Sequence, residues 1–116
     1  MGANLKEISF AVQGSAAEPY EVSFIKKPPT TIIALCSCPA GQNGQYCRHR
    51  LAIIDGNATG IVSDNRDQVM LVKEWISGTD LENVISEYRD LEERAAEINK
   101  ALSNIKRKMA RIMQNG

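Results

Sequence analysis

The chain has 116 residues, with 14 basic and 14 acidic side chains and a formal net charge of zero. A neutral chain exerts no long-range pull toward DNA or anionic lipid, and no apolar run comes near the ~18 residues that a membrane-spanning helix requires. With 43% hydrophobic but only 5% aromatic residues, the composition supports one small core with few large side chains to fill it.

The N-terminal stretch Met1 to Phe10 lacks the basic-then-apolar order of a secretory signal, so the expected compartment is a reducing cytoplasm. From Leu5 to about Leu35 the pattern is strand-like. Ile8, Phe10 and Val12 alternate with Ser9 and Ala11, and Gly14-Ser15 breaks the run. Tyr20, Val22 and Phe24 then alternate with Glu21 and Ser23. Lys27-Pro28-Pro29 reads as a turn, and Thr30 to Leu35 as a third, β-branched run. This predicts a small antiparallel meander.

The next segment, Cys36 to Arg50, reads CSCPAGQNGQYCRHR. It holds all three cysteines and the single histidine of the chain. Alternate residues of a strand share a face, so Cys36 and Cys38 project together. Pro39 stops the strand, and Gly41 and Gly44 permit a tight return. Cys47 and His49 follow where a short helix is expected to begin, running to about Ile54 and closed by Gly56. A helix N-terminus favours an ionised sulfur at Cys47. Four N/S ligands on two knuckles match the closed tetrahedral shell of structural zinc. Three other readings compete: buried reduced cysteines, a cysteine–histidine nucleophile pair, and an iron–sulfur cluster. A closed zinc shell would hold the fold and leave no position for catalytic water. A meander with one short helix has little core of its own, and zinc can add on the order of 10 kcal/mol of apparent folding free energy. Lys26, Lys27, Arg48 and Arg50 are candidate compensating charges for the thiolates, or candidate contacts to phosphate or a partner.

The spacing C-x-C, eight residues, C-x-H resembles the SWIM-type zinc finger. Tyr20 and Val22 upstream, CSCP at 36–39 and YCRHRLAI at 46–53 add to the likeness, which covers roughly residues 18–55. The resemblance implies that Cys36, Cys38, Cys47 and His49 are the ligands of one structural zinc, on a β-hairpin followed by a helix. It also implies binding to DNA or protein, within larger hosts such as transposases, remodelling ATPases and ubiquitin ligases. No catalytic partner domain is expected beside the motif within these 116 residues, so the activity of those hosts is expected to transfer poorly.

The second half is helical. Ser63 or Asp64 is the expected cap of a short helix over 64–76, with Val69, Leu71, Val72 and Trp75 on its apolar side. After Ser77-Gly78, Thr79 and Glu82 form a capping-box pattern at the head of a long helix, about 80–113. Leu81, Val84, Tyr88, Leu91, Ala95, Ile98, Leu102, Ile105, Met109 and Ile112 alternate in steps of three and four, the seam of a coiled coil. The short helix folding back is one way to cover it. A second copy is the other and the preferred one, because a seam of ~48 Å outruns a short helix. Charge favours an antiparallel pair, in which Glu87 meets Lys108 and small Ala95 opposes Ile98.

The fold class expected is α+β. Residues 1–63 form a zinc-binding β/α module, and residues 64–116 a helical dimerisation region. No acid–base or nucleophile constellation stands out, so the expected function is non-enzymatic: a protein-interaction adaptor or small regulator of a larger complex. The alternative is a DNA-binding accessory protein using Lys26, Lys27, Arg48 and Arg50. Aromatics do not interleave with basic residues, as a single-strand stacking platform requires.

Overall fold

The alternating runs of the N-terminal half are strands in a computed structural model of the chain, which describes residues 6–116. Leu5, the expected start of the first strand, lies outside the described residues. Strands β1 (Lys6–Val12), β2 (Tyr20–Lys27) and β3 (Thr31–Cys36) form an antiparallel sheet in the order β1-β2-β3. Ile8 pairs with Phe24, Phe10 with Val22, and Val22 in turn with Cys36. The period of two therefore puts the apolar set on one face. Val22 and Phe24 are fully buried there, and Phe10 meets Phe24 edge-on at 6.2 Å between ring centroids. Each such side chain contributes about 1.5–3 kcal/mol by leaving water. On the opposite face the hydroxyls of Ser9 and Ser23 lie 2.8 Å apart, which satisfies the buried Ser23.

Two helices follow the sheet. Helix α1 (Pro39–Gln42) is a single turn where the sequence suggested only a return loop; it is too short to leave a periodic signal. Helix α2 (Arg48–Ile54) buries Ile53 and Ile54. It closes as expected on Gly56, whose φ of 86° is left-handed, with the Gly56 N–H donating to Ile53 and the Asn57 N–H to Ala52.

The expected helix over 64–76 is shorter. A 3-10 turn, Arg66–Gln68, leads into α3 (Val69–Ile76). Ser63 is not its cap, because its hydroxyl has other work: it accepts from the Ala11 N–H at 3.0 Å and donates to Asn65. Asn65 in turn donates to the Ser9 carbonyl at 2.8 Å. With the Val12–Ile61 bridge and the Val62 N–H on the Ala11 carbonyl, this segment covers the outer edge of β1, which would otherwise invite another strand. The chain accordingly divides into a compact unit that extends through Glu82 and a second from Asn83 to Gly116. The first unit runs past residue 63 because α3 packs on α2 and buries Val69, Val72, Trp75 and Ile76.

The capping box at Thr79 forms by half, since Glu82 reaches past the Thr79 N–H, which donates to the Ile76 carbonyl, to that of Gly78. The Thr79 hydroxyl accepts from the Glu82 N–H at 3.3 Å, and the Glu82 carboxylate accepts from the Gly78 N–H at 2.9 Å. Helix α4 then runs without a break over Asp80–Asn115, 36 residues, none of them buried. Within it, Asp90 pairs with Arg94 and the Tyr88 hydroxyl donates to Glu92, both one turn apart. Among the described residues no helix is long and apolar enough to cross a membrane.

Candidate metal centre

Cys36 ends β3 on the buried face of the sheet, and Cys38, still extended at φ −66° and ψ 161°, caps the first turn of α1. The residue between them, Ser37, turns outward and stitches the extension to β2. Its N–H donates to the Glu21 carbonyl at 3.0 Å, and its hydroxyl accepts from the Glu21 N–H at 2.8 Å. Both sulfurs therefore face inward from one rigid strand end. The second pair comes from α2: Cys47 is its cap residue, at φ −142° and ψ 120°, and His49 lies in its first turn.

The four ligand atoms converge. The Cys38 and Cys47 sulfurs lie 3.4 Å apart. His49 Nδ1 lies 3.6 Å from the Cys47 sulfur and 3.8 Å from that of Cys36, and all four atoms fall within 4.8 Å of one another. A zinc ion about 2.3 Å from each thiolate needs tetrahedral corners about 3.8 Å apart. The cluster has that size. The sulfurs are well outside disulfide distance, and all three cysteines are free and buried.

The surroundings support negative charge on sulfur. The Cys38 N–H donates to the Cys36 sulfur at 3.5 Å, and the Gly41 N–H to the Cys38 sulfur at 3.3 Å. Burial opposes ionisation of Cys47, but the Arg50 N–H and hydrogen bonds from the Cys38 and Cys36 thiols and His49 outweigh it, bringing its thiol down to about 6. Burial, the neighbouring thiols and the Cys47 charge push Cys36 up to about 12 despite the Cys38 N–H. The same surroundings thus favour the thiolate at Cys47 and oppose it at Cys36, and a shared divalent ion would offset that opposition.

The four candidate basic residues come from different elements, Lys26 and Lys27 from β2 and Arg48 and Arg50 from α2. Lys26 and Lys27 sit opposite Ile32 and Thr31, four and five positions along β2 from Val22, the partner of Cys36, or roughly 13–17 Å at strand spacing. Arg50 is occupied internally. One guanidinium nitrogen donates to the Ala34 carbonyl on β3 at 3.0 Å and the other to the Gln45 carbonyl, tying the two knuckles together. Arg48 remains exposed, at the rim of a cleft of about 250 Å³ beside His49.

Two further positions escaped the sequence reading in their actual role. A side chain at Gly41 would place its first carbon 2.3 Å from the Cys36 carbonyl oxygen, so only glycine lets the α1 turn close over the first knuckle. At Gly14 the same atom would lie 2.5 Å from the Tyr20 ring and 3.1 Å from His49 Nε2. Tyr20 itself packs on the His49 ring at 5.1 Å between centroids, so the loop after β1 closes over the back of the histidine. Tyr20 was legible only as a flank of the motif, and Gly14 only as a strand break.

Comparison with known proteins agrees with this geometry. Residues 32–54 match the family model of the SWIM zinc finger, while no curated protein and no solved structure shows significant similarity to the chain. The matched stretch contains both knuckles, and Cys36, Cys38, Cys47 and His49 occupy the C-x-C-x8-C-x-H positions. These residues constitute a SWIM-type centre for one structural zinc ion.

Proposed function

We propose that the chain is a non-enzymatic adaptor: a zinc-held SWIM module for protein interaction, carried on a helix that self-associates. The observation that carries this reading is the seam of α4. Val84, Leu91, Ile98, Leu102, Ile105, Met109 and Ile112 are each 46–61% exposed, a row of apolar side chains far longer than isolated surface leucines would explain. A helix with such a stripe owes most of its stability to whatever packs on it. The metal centre supports the non-enzymatic part, since four protein ligands complete a zinc shell and leave no position for water or substrate. Free thiolates that bind zinc favour a reducing intracellular compartment.

SWIM zinc fingers serve in binding to protein or nucleic acid. Protein is preferred here because Arg50 is engaged internally and Lys26 and Lys27 lie apart from Arg48, which disperses the phosphate-contacting group that a DNA reader concentrates. Titration with duplex DNA at low salt distinguishes the two readings. The adaptor is expected to show no binding there, whereas DNA affinity that falls steeply with added salt would favour the nucleic-acid reading. Self-association is tested by sedimentation of the full chain. The natural sequence is expected to have the mass of two chains and Ile98→Asp the mass of one, with zinc content unchanged.

A further inference from the structure

We infer that the seam of α4 is covered by the same seam of a second copy running antiparallel, with Leu81 facing Ile112, Val84 facing Met109, and Ala95 facing Ile98. This rests on the self-association proposed above and adds its orientation and register.

Exposure, charge and symmetry favour the same arrangement. The apolar row is continuous from one end of α4 to the other, and no residue of the helix is buried, so a partner of comparable length is required. The helix is also electrically divided. From Asp80 to Glu97 there are seven acidic and two basic residues, a net −5; from Ile98 to Gly116 there are five basic residues and no acidic one, a net +5. The sign therefore changes between Glu97 and Lys100. In the stated register the two-fold axis passes beside Ala95 and Ile98, the same place. Every acidic half then lies along a basic half, whereas a parallel pair sets acidic half against acidic half and basic half against basic half. At the flank of the seam Glu87 meets Lys108 of the other copy; in a parallel pair it would meet Glu92. Ala95, the smallest seam residue, faces Ile98 in the two central layers, so small meets large where the helices cross the axis.

Exposed ion pairs are worth only a few tenths of a kcal/mol each. The seam accordingly supplies the attraction and the charges select the orientation. The two points at which α4 leaves Thr79 then lie at opposite ends of the pair, roughly 48 Å apart at helical rise. Each zinc module is thereby free to take a separate partner molecule, and the dimer acts as a spacer between them.

The test uses the full zinc-loaded chain. Sedimentation first gives the mass, and dyes attached enzymatically beyond Gly116 then report the separation of the C-termini by energy transfer. An antiparallel dimer places them ~50 Å apart and transfers partially; a parallel one brings them together and transfers almost completely. Glu87→Lys is expected to weaken the antiparallel dimer about tenfold at low salt, through two symmetry-related contacts, and Glu87→Lys with Lys108→Glu to restore it. A monomeric mass would remove both the self-association and the inference. A dimer with near-complete transfer, or one tightened by Glu87→Lys because the new cation meets Glu92, would overturn the inference alone.

Discussion

The two units of this chain reach order by different means. Up to Glu82, each strand and each helix longer than one turn buries apolar side chains: Phe10 on β1, Val22 and Phe24 on β2, Ile53 on α2, Val72 and Trp75 on α3. From Asn83 onward none is buried. The first unit is a small core reinforced by a metal centre; the second is a helix whose apolar row can be satisfied only by contact with something outside itself. A chain of this size can thus pair a metal-reinforced core with a helix that has no core of its own, so that the two halves are expected to answer to different perturbations.

The largest such perturbation is metal removal. A chelator is expected to abolish the cooperative unfolding of the first unit, since structural zinc contributes on the order of 10 kcal/mol. The single tryptophan, Trp75, buried on α3, reports this as a red shift in emission. Circular dichroism should retain the α4 share of the helical signal. Simultaneous loss of both signals would show that the two units are not independent. Arg50→Ala comes next. It removes two hydrogen bonds from a partly buried guanidinium and is expected to lower the stability of the zinc-loaded module by about 2 kcal/mol, measured by urea unfolding. Arg50→Lys should recover little, because one ammonium cannot reproduce the fork that reaches both carbonyls.

Gly41→Ala sharpens the comparison on the metal side. Its added carbon meets the Cys36 carbonyl, backbone that cannot swing aside, at an expected cost of about 1–3 kcal/mol. Competition with a colorimetric chelator should reveal this as weaker zinc retention, with no change in sedimentation mass. The smallest effect belongs to the junction of the two units. Thr79→Ala removes the hydroxyl that caps α4 and should lower thermal stability by about 1 kcal/mol, leaving zinc content untouched.

Much of this was legible in the sequence, for identifiable reasons. The meander was readable because alternation is strict in β1 and β2, and because Phe24 and Val22 leave no doubt about which face is buried. The metal centre was readable because its ligands lie close together in sequence and their spacing carries the geometry. The single turn of α1 was not readable, since four residues cannot display a helical period. Ser63 was misread as a cap because a serine before an apolar run signals a helix start only if no other donor claims its oxygen, and the Ala11 N–H does. The role of Arg50 was missed because its partners are backbone carbonyls, which look the same at every position in a sequence. Gly14 and Gly41 act through close approaches that exist only after folding. The length of α4 was read correctly from its unbroken seam and from the capping box at Thr79 and Glu82.

Gly44 projects into open space, with nothing within 4 Å of where a side chain would begin, while on either side of it the chain is pinned at Gly41 and at Cys47. Each doubling of a flexible loop adds only ~0.6 kcal/mol of closure entropy, so the cost of added residues there is set by the bonds of Gly44 N–H to the Gly41 carbonyl and of Gln45 N–H to the Ala40 carbonyl, which an insertion has to spare. The position between the knuckles is therefore a natural grafting point: an epitope, a fluorescent label or a foreign recognition peptide inserted beside Gly44 would be displayed on a rigid base without disturbing either the sulfur cluster or the hydrophobic interior.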